Sequence, residues 1–416
     1  MELKRVVITG MGAITPIGNS VADFWTALCN GSNGAGRITR FDCEKFKVHI
    51  ACEVKDFNPL DHFEYKEARK LDLYSQFGIV AASEAVEDSG INKDNADLDE
   101  VGVIFASGIG GLTSFNNEVS DFGRGDGTPH FSPFIIPKLL PDIAAGHISM
   151  KYGFRGVNYG IVAACASSAI AIADAFNYIR FGKASVIITG GSEAAVCEAG
   201  IGGFEAMKAL CSTHNDDPLT ASRPFDAERA GFVMGEGAGA LVIEELEHAV
   251  ARGAKIYGEI VGAGFSGDAY HITAPHPEGT GARLSMQRAI NDANISVKDI
   301  GHINTHGTST PMGDASEVLA IRQVFGDYAP KIALNSIKSM TGHLLGGAGA
   351  IEAIATALSV KNGIVPPTIN HFTDDPAFEG LDFTFGKARE RHLDYALSNA
   401  FGFGGHNVCI VFKNYQ

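Results

Sequence analysis

Ile161-Val162-Ala163-Ala164-Cys165-Ala166-Ser167-Ser168-Ala169 runs on through Ile170-Ala171-Ile172-Ala173-Asp174-Ala175-Phe176. Small residues crowd one cysteine, and a helix-forming pattern starts immediately behind it. Ala, Ile and Phe cover nearly every face of that helix, so it should be buried all round. Gly182 supplies a stop just past Arg180 and Phe181. A cysteine at the N-terminus of a buried helix feels the positive end of the macrodipole, which lowers its pKa and favours the thiolate. Free cysteine is also a small hydrophobe that packs well. This stretch alone leaves nucleophile and packing residue both open.

The chain has 416 residues, 45% of them hydrophobic, enough for two core-forming units or one large α/β body. Seven cysteines without CxxC pairs or regular spacing argue against a disulfide framework or zinc site and fit a reducing cytoplasmic setting. A formal net charge of −15 argues against non-specific nucleic-acid binding and obliges any acidic partner to find a local basic patch. Gly, Pro or polar residues interrupt every apolar run before it reaches membrane-spanning length. Met1 to Gly10 passes into a strand without the apolar core of a signal peptide. The expectation is a cytoplasmic protein with no membrane contact.

Arg5 to Gly10 reads as a buried strand ended by Gly10-Met11-Gly12. Thr15-Pro16 stands where a dinucleotide fingerprint needs a third glycine and an opening helix, which argues against that cofactor. The patterns predict helices over 21–29 and 69–89, then a strand over 101–107 leading into Ser107-Gly108-Ile109-Gly110-Gly111. Residues 116–141 read as an aperiodic loop. A strand over 184–189 precedes the turn Gly190-Gly191-Ser192, and a glycine run from Gly231 to Gly239 leads into a strand over 240–244.

From Ile256 the chain starts again. Residues 256–264 echo the opening strand, 303–308 the strand into Ser107-Gly108, and 337–344 the Cys165 turn. Residues 346–355 echo the helix behind Cys165, and 399–407 the glycine run before Ala240. These parallels, all in one order, predict two similar α/β halves, 1–254 and 255–416, with mainly parallel pairing and some antiparallel hairpins.

Twofold packing of such halves sets equivalent turns face to face. Cys165 of the first then meets His306 and His343 of the second, and His beside Cys is the arrangement that activates a thiol. With fourteen histidines in the chain, each also has an ordinary reading, His306 as a turn residue at a strand end and His343 as a helix cap. Lys338 reads as a solvated lysine or, more remotely, a Schiff-base lysine. Gly402 and Gly404-Gly405 let backbone N–H groups approach a ligand, so Phe403 N–H with Cys165 N–H would form an oxyanion hole. A hairpin without a ligand is the other reading.

Four motifs carry a resemblance: Ala164-Cys165-Ala166-Ser167-Ser168, Asn304-Thr305-His306-Gly307-Thr308-Ser309-Thr310-Pro311-Met312-Gly313-Asp314, Asn335-Ser336-Ile337-Lys338-Ser339-Met340-Thr341-Gly342-His343 and Phe401-Gly402-Phe403-Gly404-Gly405. With Val7-Ile8-Thr9-Gly10-Met11-Gly12 and the 268–273 segment, the whole chain resembles the β-ketoacyl-acyl-carrier-protein synthases, the elongating type II form most closely. The resemblance implies a thiolase-like α/β fold, a five-layer αβαβα sandwich built from two similar halves, and a homodimer. It implies decarboxylative condensation with malonyl-acyl-carrier protein, extending a fatty acyl chain.

In that resemblance Cys165 carries the acyl group, and His306 and His343 donate Nε2–H bonds to the malonyl thioester oxygen. Lys338 acts through charge and positioning, Glu352 stands behind these residues as a partner, and Phe403 gates the acyl chain. Ile109, Phe134 and Phe204 resemble acyl-pocket walls, Phe134 reaching across the dimer, with ordinary core as the competing reading. Thr308 and Thr310 resemble the pair that binds the pantetheine arm. Acyl-carrier protein is acidic, so Lys66, Arg69 and Lys70 on a helix start, with Lys208, are the implied docking patch. No metal and no cofactor is implied beyond the carrier's phosphopantetheine arm. A specialised polyketide ketosynthase, a thiolase, a cysteine hydrolase and a non-condensing partner subunit are the rivals. Thiolases carry a second reactive cysteine near the C-terminus, whereas Cys409 falls inside the last strand, and a non-condensing partner lacks the nucleophile.

Overall fold

The computed structural model describes residues 3–415. Its main sheet has ten strands. The first part of the chain supplies β1 Val6–Ile14, β2 Val101–Ala106, β3 Asn158–Ile161, β4 Val186–Glu193 and β5 Gly237–Glu245. The second supplies β6 Gly258–Gly267, β7 Ile300–Asn304, β8 Ala333–Asn335, β9 Tyr395–Gly402 and β10 His406–Lys413. They lie in the order β3-β2-β4-β5-β1-β6-β10-β9-β7-β8. From each outer edge inward, both parts repeat one arrangement: third strand, second, fourth, fifth, first.

β2 pairs in parallel with β3 and β4, while β5 runs antiparallel to β4 and β1. β7, β8, β9, β10 and β6 repeat these directions. The two arrays join where Val6–Ile8 pairs antiparallel with Gly258–Ile260. Antiparallel ladders are thus as prominent as parallel ones, against the mainly parallel expectation. The long connection from β4 to β5 returns its strand antiparallel without a hairpin, and that geometry leaves no periodic trace in sequence.

Six helices complete the frame: α1 Leu73–Ser89, α2 Ile143–Tyr152, α3 Ser167–Arg180, α4 Thr280–Asp292, α5 Pro311–Phe325 and α6 Ala348–Asn362. α1 and α2 cover the outer face of the first array, and α4 and α5 that of the second. α3 and α6 pack on each other between the two inner faces, which is why their apolar residues run almost all round. The result is the five-layer αβαβα sandwich.

Several glycines expected as turns lie inside strands. A Cβ at Gly10 or Gly12 of β1 would run into the Ala85 and Ala81 carbonyl oxygens of α1, and Gly262 and Gly264 of β6 face Ala289 and Ser285 of α4 in the same way. Gly190 and Gly191 are interior to β4. These glycines admit close helix–sheet approach instead of ending strands.

Residues 116–141 are not an aperiodic loop, because helices span Leu112–Arg124 and Ile135–Leu139. Phe115, Val119 and Phe122 share one face of the first helix and stay at least 40% exposed. The helix expected from residue 69 begins at Leu73, where the Asp72 side chain accepts from Tyr74 N–H. Lys66 instead lies on the short helix Tyr65–Ala68, Arg69 ends it, and Lys70 follows in the connection. Among the described residues no helix is long and apolar enough to cross a membrane.

His302 on β7 is buried and its Nδ1 donates to Ala333 O at 2.8 Å. Burial pushes its pKa down to about 4. The unfolded chain therefore takes up a proton as pH falls through 6.5, while the folded chain takes one up only near 4. This residue should remove about 3 kcal/mol of stability across that window. In urea titrations, His302→Asn should keep the donor and flatten that acid slope. An unchanged slope would show that His302 is not its source.

Candidate active site

β3 ends at Ile161, and a single 3-10 turn over Ala164–Ala166 precedes α3. Cys165 sits in this turn rather than in the helix. Ala164 takes φ 49°, a left-handed conformation costing a non-glycine residue about 1–2 kcal/mol. Ser167 holds it: Ala163 N–H donates to Ser167 Oγ at 2.8 Å, and that hydroxyl donates to Ala164 O at 2.6 Å. The second half repeats the device. After β8, Leu345 takes φ 49° at the head of the 3-10 turn Leu345–Gly347 that opens α6.

The dipole argument for a lowered thiol pKa is reversed. Burial pushes the Cys165 thiol up to about 11. The Lys338 charge and the N–H groups of Phe403 and of Cys165 itself pull it back only in part, and the Glu193 carboxylate adds to the rise. Gly402 makes room for the two N–H groups: a Cβ there would lie 2.7 Å from Ala163 O and 3.3 Å from Cys165 N.

His306 follows β7. Its N–H donates to Glu317 Oε1 at 2.9 Å, and Gly307 N–H donates to Oε2 at 2.9 Å. His343 is not a helix cap, since it forms a parallel bridge with Met234, donating to Val233 O at 2.8 Å and accepting from Gly235 N–H at 2.9 Å. The two imidazoles meet edge to face with centroids 5.3 Å apart. Burial first, then the Lys338 charge, holds both well below the usual histidine range, so both are neutral near pH 7.

Lys338 is not solvated: it is 1% exposed, ion-paired with Glu352, and its Nζ lies 3.5 Å from His306 Nδ1. An ammonium only donates, so Nδ1 accepts and the His306 proton sits on Nε2. Burial raises the Glu352 carboxyl and the Lys338 ammonium pulls it back. His343 Nδ1 is buried without a partner among the described residues. A lone buried acceptor is tolerated better than a lone buried N–H, which places that ring's proton on Nε2 as well.

A cavity of about 370 Å³ opens over these groups, lined by Cys165, His306, His343, Phe204, Phe403, Thr308 and Thr310. Ile109 packs in the apolar cluster that holds Cys165 and Phe204. The Thr308 and Thr310 hydroxyls lie 2.9 Å apart, and Thr310 also caps α5 by accepting Gly313 N–H at 3.2 Å. Phe134 is not brought here. It heads the Ile135–Leu139 helix, 37% exposed, with Lys70 Nζ 5.3 Å over its ring. Of the four cations, only Lys208 lines the cavity, so Lys66, Arg69 and Lys70 form no patch with it around this chain's own opening.

Three buried carboxylates escaped the sequence reading. Glu317 clamps the His306 backbone and accepts from Asn399 Nδ2 at 3.0 Å. Asp314, one turn earlier on α5, accepts Ser309 N–H at 3.1 Å and Phe225 N–H at 2.9 Å, and burial pushes it up to about 7. Glu193 ends β4 against the Ser107 turn. The available signals were an acidic pair at i, i+3 behind the His306 motif and a glutamate closing an apolar strand. Neither shows which backbone amides it will meet.

A strained cysteine turn from one half and two histidines from the other line one cavity, a Cys-His-His arrangement. Residues 3–249 match the family described as Beta-ketoacyl synthase, N-terminal domain, and residues 257–372 match Beta-ketoacyl synthase, C-terminal domain. The chain is 50% identical over 414 residues to 3-oxoacyl-acyl-carrier-protein synthase 2 of Staphylococcus aureus, covering 99% of each. It is 47% identical over 416 residues to the Synechocystis protein of that name, covering 100% of this chain and 99% of the other. A solved beta-ketoacyl synthase from Burkholderia phymatum superposes with TM-score 0.91 at 34% identity, over 99% of this chain and 100% of that one. A type II PKS ketosynthase, solved with its acyl-carrier protein and bound to the hexaketide, gives 0.91 at 32%, over 100% of both. The chain belongs to the β-ketoacyl synthase family and has its thiolase-like fold.

Proposed function

We propose that this chain is an elongating 3-oxoacyl-acyl-carrier-protein synthase of fatty acid synthesis, acting in the cytoplasm as a homodimer. One observation carries the reading: a buried thiol lines one cavity with two buried imidazoles whose centroids lie 5.3 Å apart. Cys165 sulfur attacks the acyl thioester. Its new S–C bond forms as the carrier's S–C bond breaks, and the departing carrier thiolate takes the proton that leaves Cys165. The oxyanion rests on the N–H groups of Cys165 and Phe403.

Malonyl-carrier protein then sets its thioester oxygen against His306 and His343. The bond to its carboxylate breaks, carbon dioxide leaves, and the electron pair becomes an enolate held by both Nε2–H groups. The enolate carbon attacks the acyl-Cys carbonyl, and Cys165 departs as thiolate and regains a proton from solvent. Thr308 and Thr310 hold the pantetheine arm, Phe204 and Ile109 wall the acyl chain, and Phe403 gates it. Lys338, anchored by Glu352, fixes the His306 tautomer. No resident metal or cofactor takes part.

The sheet edges support the dimer. At one end β8 is covered, its Leu334 N–H bonded to Asp382 O at 2.7 Å. At the other, β3 has a free edge, followed by Val162 at 61% exposure. An open edge and the exposed side chains of Phe115, Phe122 and Ile136 are the kinds of surface that a partner covers, and in the proposed dimer a second copy does so. Because Lys70 rides on Phe134, a Phe134 that crosses into the partner's cavity carries the basic cluster to the partner's opening, beside the partner's own copy of the residue 208 lysine. Reversing charge at Lys66, Arg69 and Lys70 together should raise KM for acyl-carrier protein about tenfold at low salt, with the gap closing as salt rises. A KM that does not move at any salt concentration removes this patch.

The deciding assay supplies acyl- and malonyl-carrier protein to the purified chain and reads products by mass. A 3-oxoacyl-carrier protein is expected. Free acid alone identifies a cysteine hydrolase, and turnover of coenzyme A thioesters in place of carrier protein identifies a thiolase.

A further inference from the structure

Glu193 is wholly buried at the end of β4, and no basic side chain pairs with it among the described residues. Its two oxygens instead collect five donors. Oε1 accepts Ser107 Oγ at 2.9 Å, Ile109 N–H at 3.1 Å and Gly110 N–H at 3.3 Å. Oε2 accepts Gly108 N–H at 2.8 Å and Gly346 N–H at 3.0 Å. The carboxylate therefore ties two turns from different halves of the chain. One carries Ile109, and the other opens α6 three residues beyond His343. The Cys165 turn joins them at Gly108, where a Cβ would lie 2.7 Å from Glu193 Oε2, 3.2 Å from Ala164 O and 3.3 Å from Gly346 N.

A buried anion without a counter-cation is expensive unless its lone pairs are filled. Here four of the five donors are backbone amides, which cannot move away as a lysine side chain can, and the fifth is the Ser107 hydroxyl. The Ser107 turn and the turn that opens α6 are therefore held to each other through a single rigid group, and the Cys165 turn packs against them at Gly108. Displacing Ile109 outward would strip two or three donors from the carboxylate at once.

We propose that Glu193 is a positioning residue that sets acyl-chain selectivity, by holding the Ile109 wall at a fixed distance from Cys165 and in register with the turn that leads out of His343. This deepens the condensing reading given above and rests on it. Glutamine at 193 keeps the shape but turns one acceptor into a donor facing backbone N–H groups, so the Ser107 turn must shift. Aspartate keeps the charge but withdraws it by one methylene, which favours a displaced wall over a broken one.

The test compares kcat/KM for a short and a long acyl-carrier protein, together with KM for malonyl-carrier protein, in wild type, Glu193→Gln and Glu193→Asp. The ratio of long to short chain is expected to change about tenfold in Glu193→Gln and by less, in the same direction, in Glu193→Asp, with malonyl KM within about twofold of wild type. Combined with Ile109→Ala, the Glu193→Gln effect on the ratio should largely vanish, because the wall it acts through is gone. Equal losses at both chain lengths, or full additivity with Ile109→Ala, would overturn the proposal and leave Glu193 as a structural anchor. If Glu193→Gln fails to fold, the ratio in Glu193→Asp decides alone: moved supports the proposal and unmoved overturns it. A wild-type protein that makes no 3-oxoacyl product would instead overturn the condensing reading itself.

Discussion

Cys165→Ala should abolish acyl transfer, lowering turnover by on the order of 10⁴-fold or more, as removal of a covalent nucleophile does elsewhere. The variant should fold, because it removes one sulfur from a cluster already rich in small residues, at about 1 kcal/mol. The measurement is intact mass after exposure to acyl-carrier protein alone: wild type gains one acyl group and the variant gains none. An acyl adduct on the variant would assign the nucleophile elsewhere. The same thiol makes a pH prediction. Because burial holds it near 11, alkylation of the free protein by iodoacetamide should climb about tenfold per pH unit from neutral pH upward, without levelling off near the ordinary thiol value of 9.0. A plateau below that value would mean that the helix dipole outweighs burial after all.

His306→Ala should separate the two half-reactions. Acylation of Cys165 persists within about tenfold, since its oxyanion uses backbone N–H groups, whereas condensation falls about 10²–10³-fold with the loss of one enolate donor. Carbon dioxide release from malonyl-carrier protein reads the second step directly. Lys338 also loses the acceptor 3.5 Å from its Nζ and keeps Glu352 as its ion-pair partner. The depressed histidine pKa values fix the sign of the pH effect. The neutral rings persist as pH falls through 6.5, so wild-type condensation should stay level from about pH 8 to about pH 6. A fall centred on 6.5 would show that a charged imidazole had formed and would sink the neutral-donor reading, as would wild-type condensation by His306→Ala.

How far sequence reached differs from residue to residue. The helix behind Cys165 is readable because a segment apolar on every side has one physical home, between two apolar sheet faces. Residues 112–124 carried a helical stripe too, but Gly111 provides no side-chain cap and the glycines at 123, 125 and 127 dissolve the period. Glycine was the most misleading signal. Gly10, Gly12, Gly262 and Gly264 look like strand ends and are instead the places where helices α1 and α4 press onto β1 and β6. Nothing in their neighbours tells a turn from a close approach, since both demand only the absence of Cβ.

What the chain determined by itself is the set of chemical groups and their recurrence: one cysteine at a helix start, two histidines at the matching turns of a second half, and the family those motifs define. Order along the chain suffices for that, because each motif is local. Tertiary structure alone decided how those groups behave. The resting state of the Cys165 thiol follows from dehydration and the sign of its neighbours, the His306 tautomer from a lysine 32 residues away in sequence, and the tie between two turns of different halves from the Glu193 carboxylate. Proton positions and pKa values depend on distance and burial, and both come into being only when segments far apart in the chain share a dry interior.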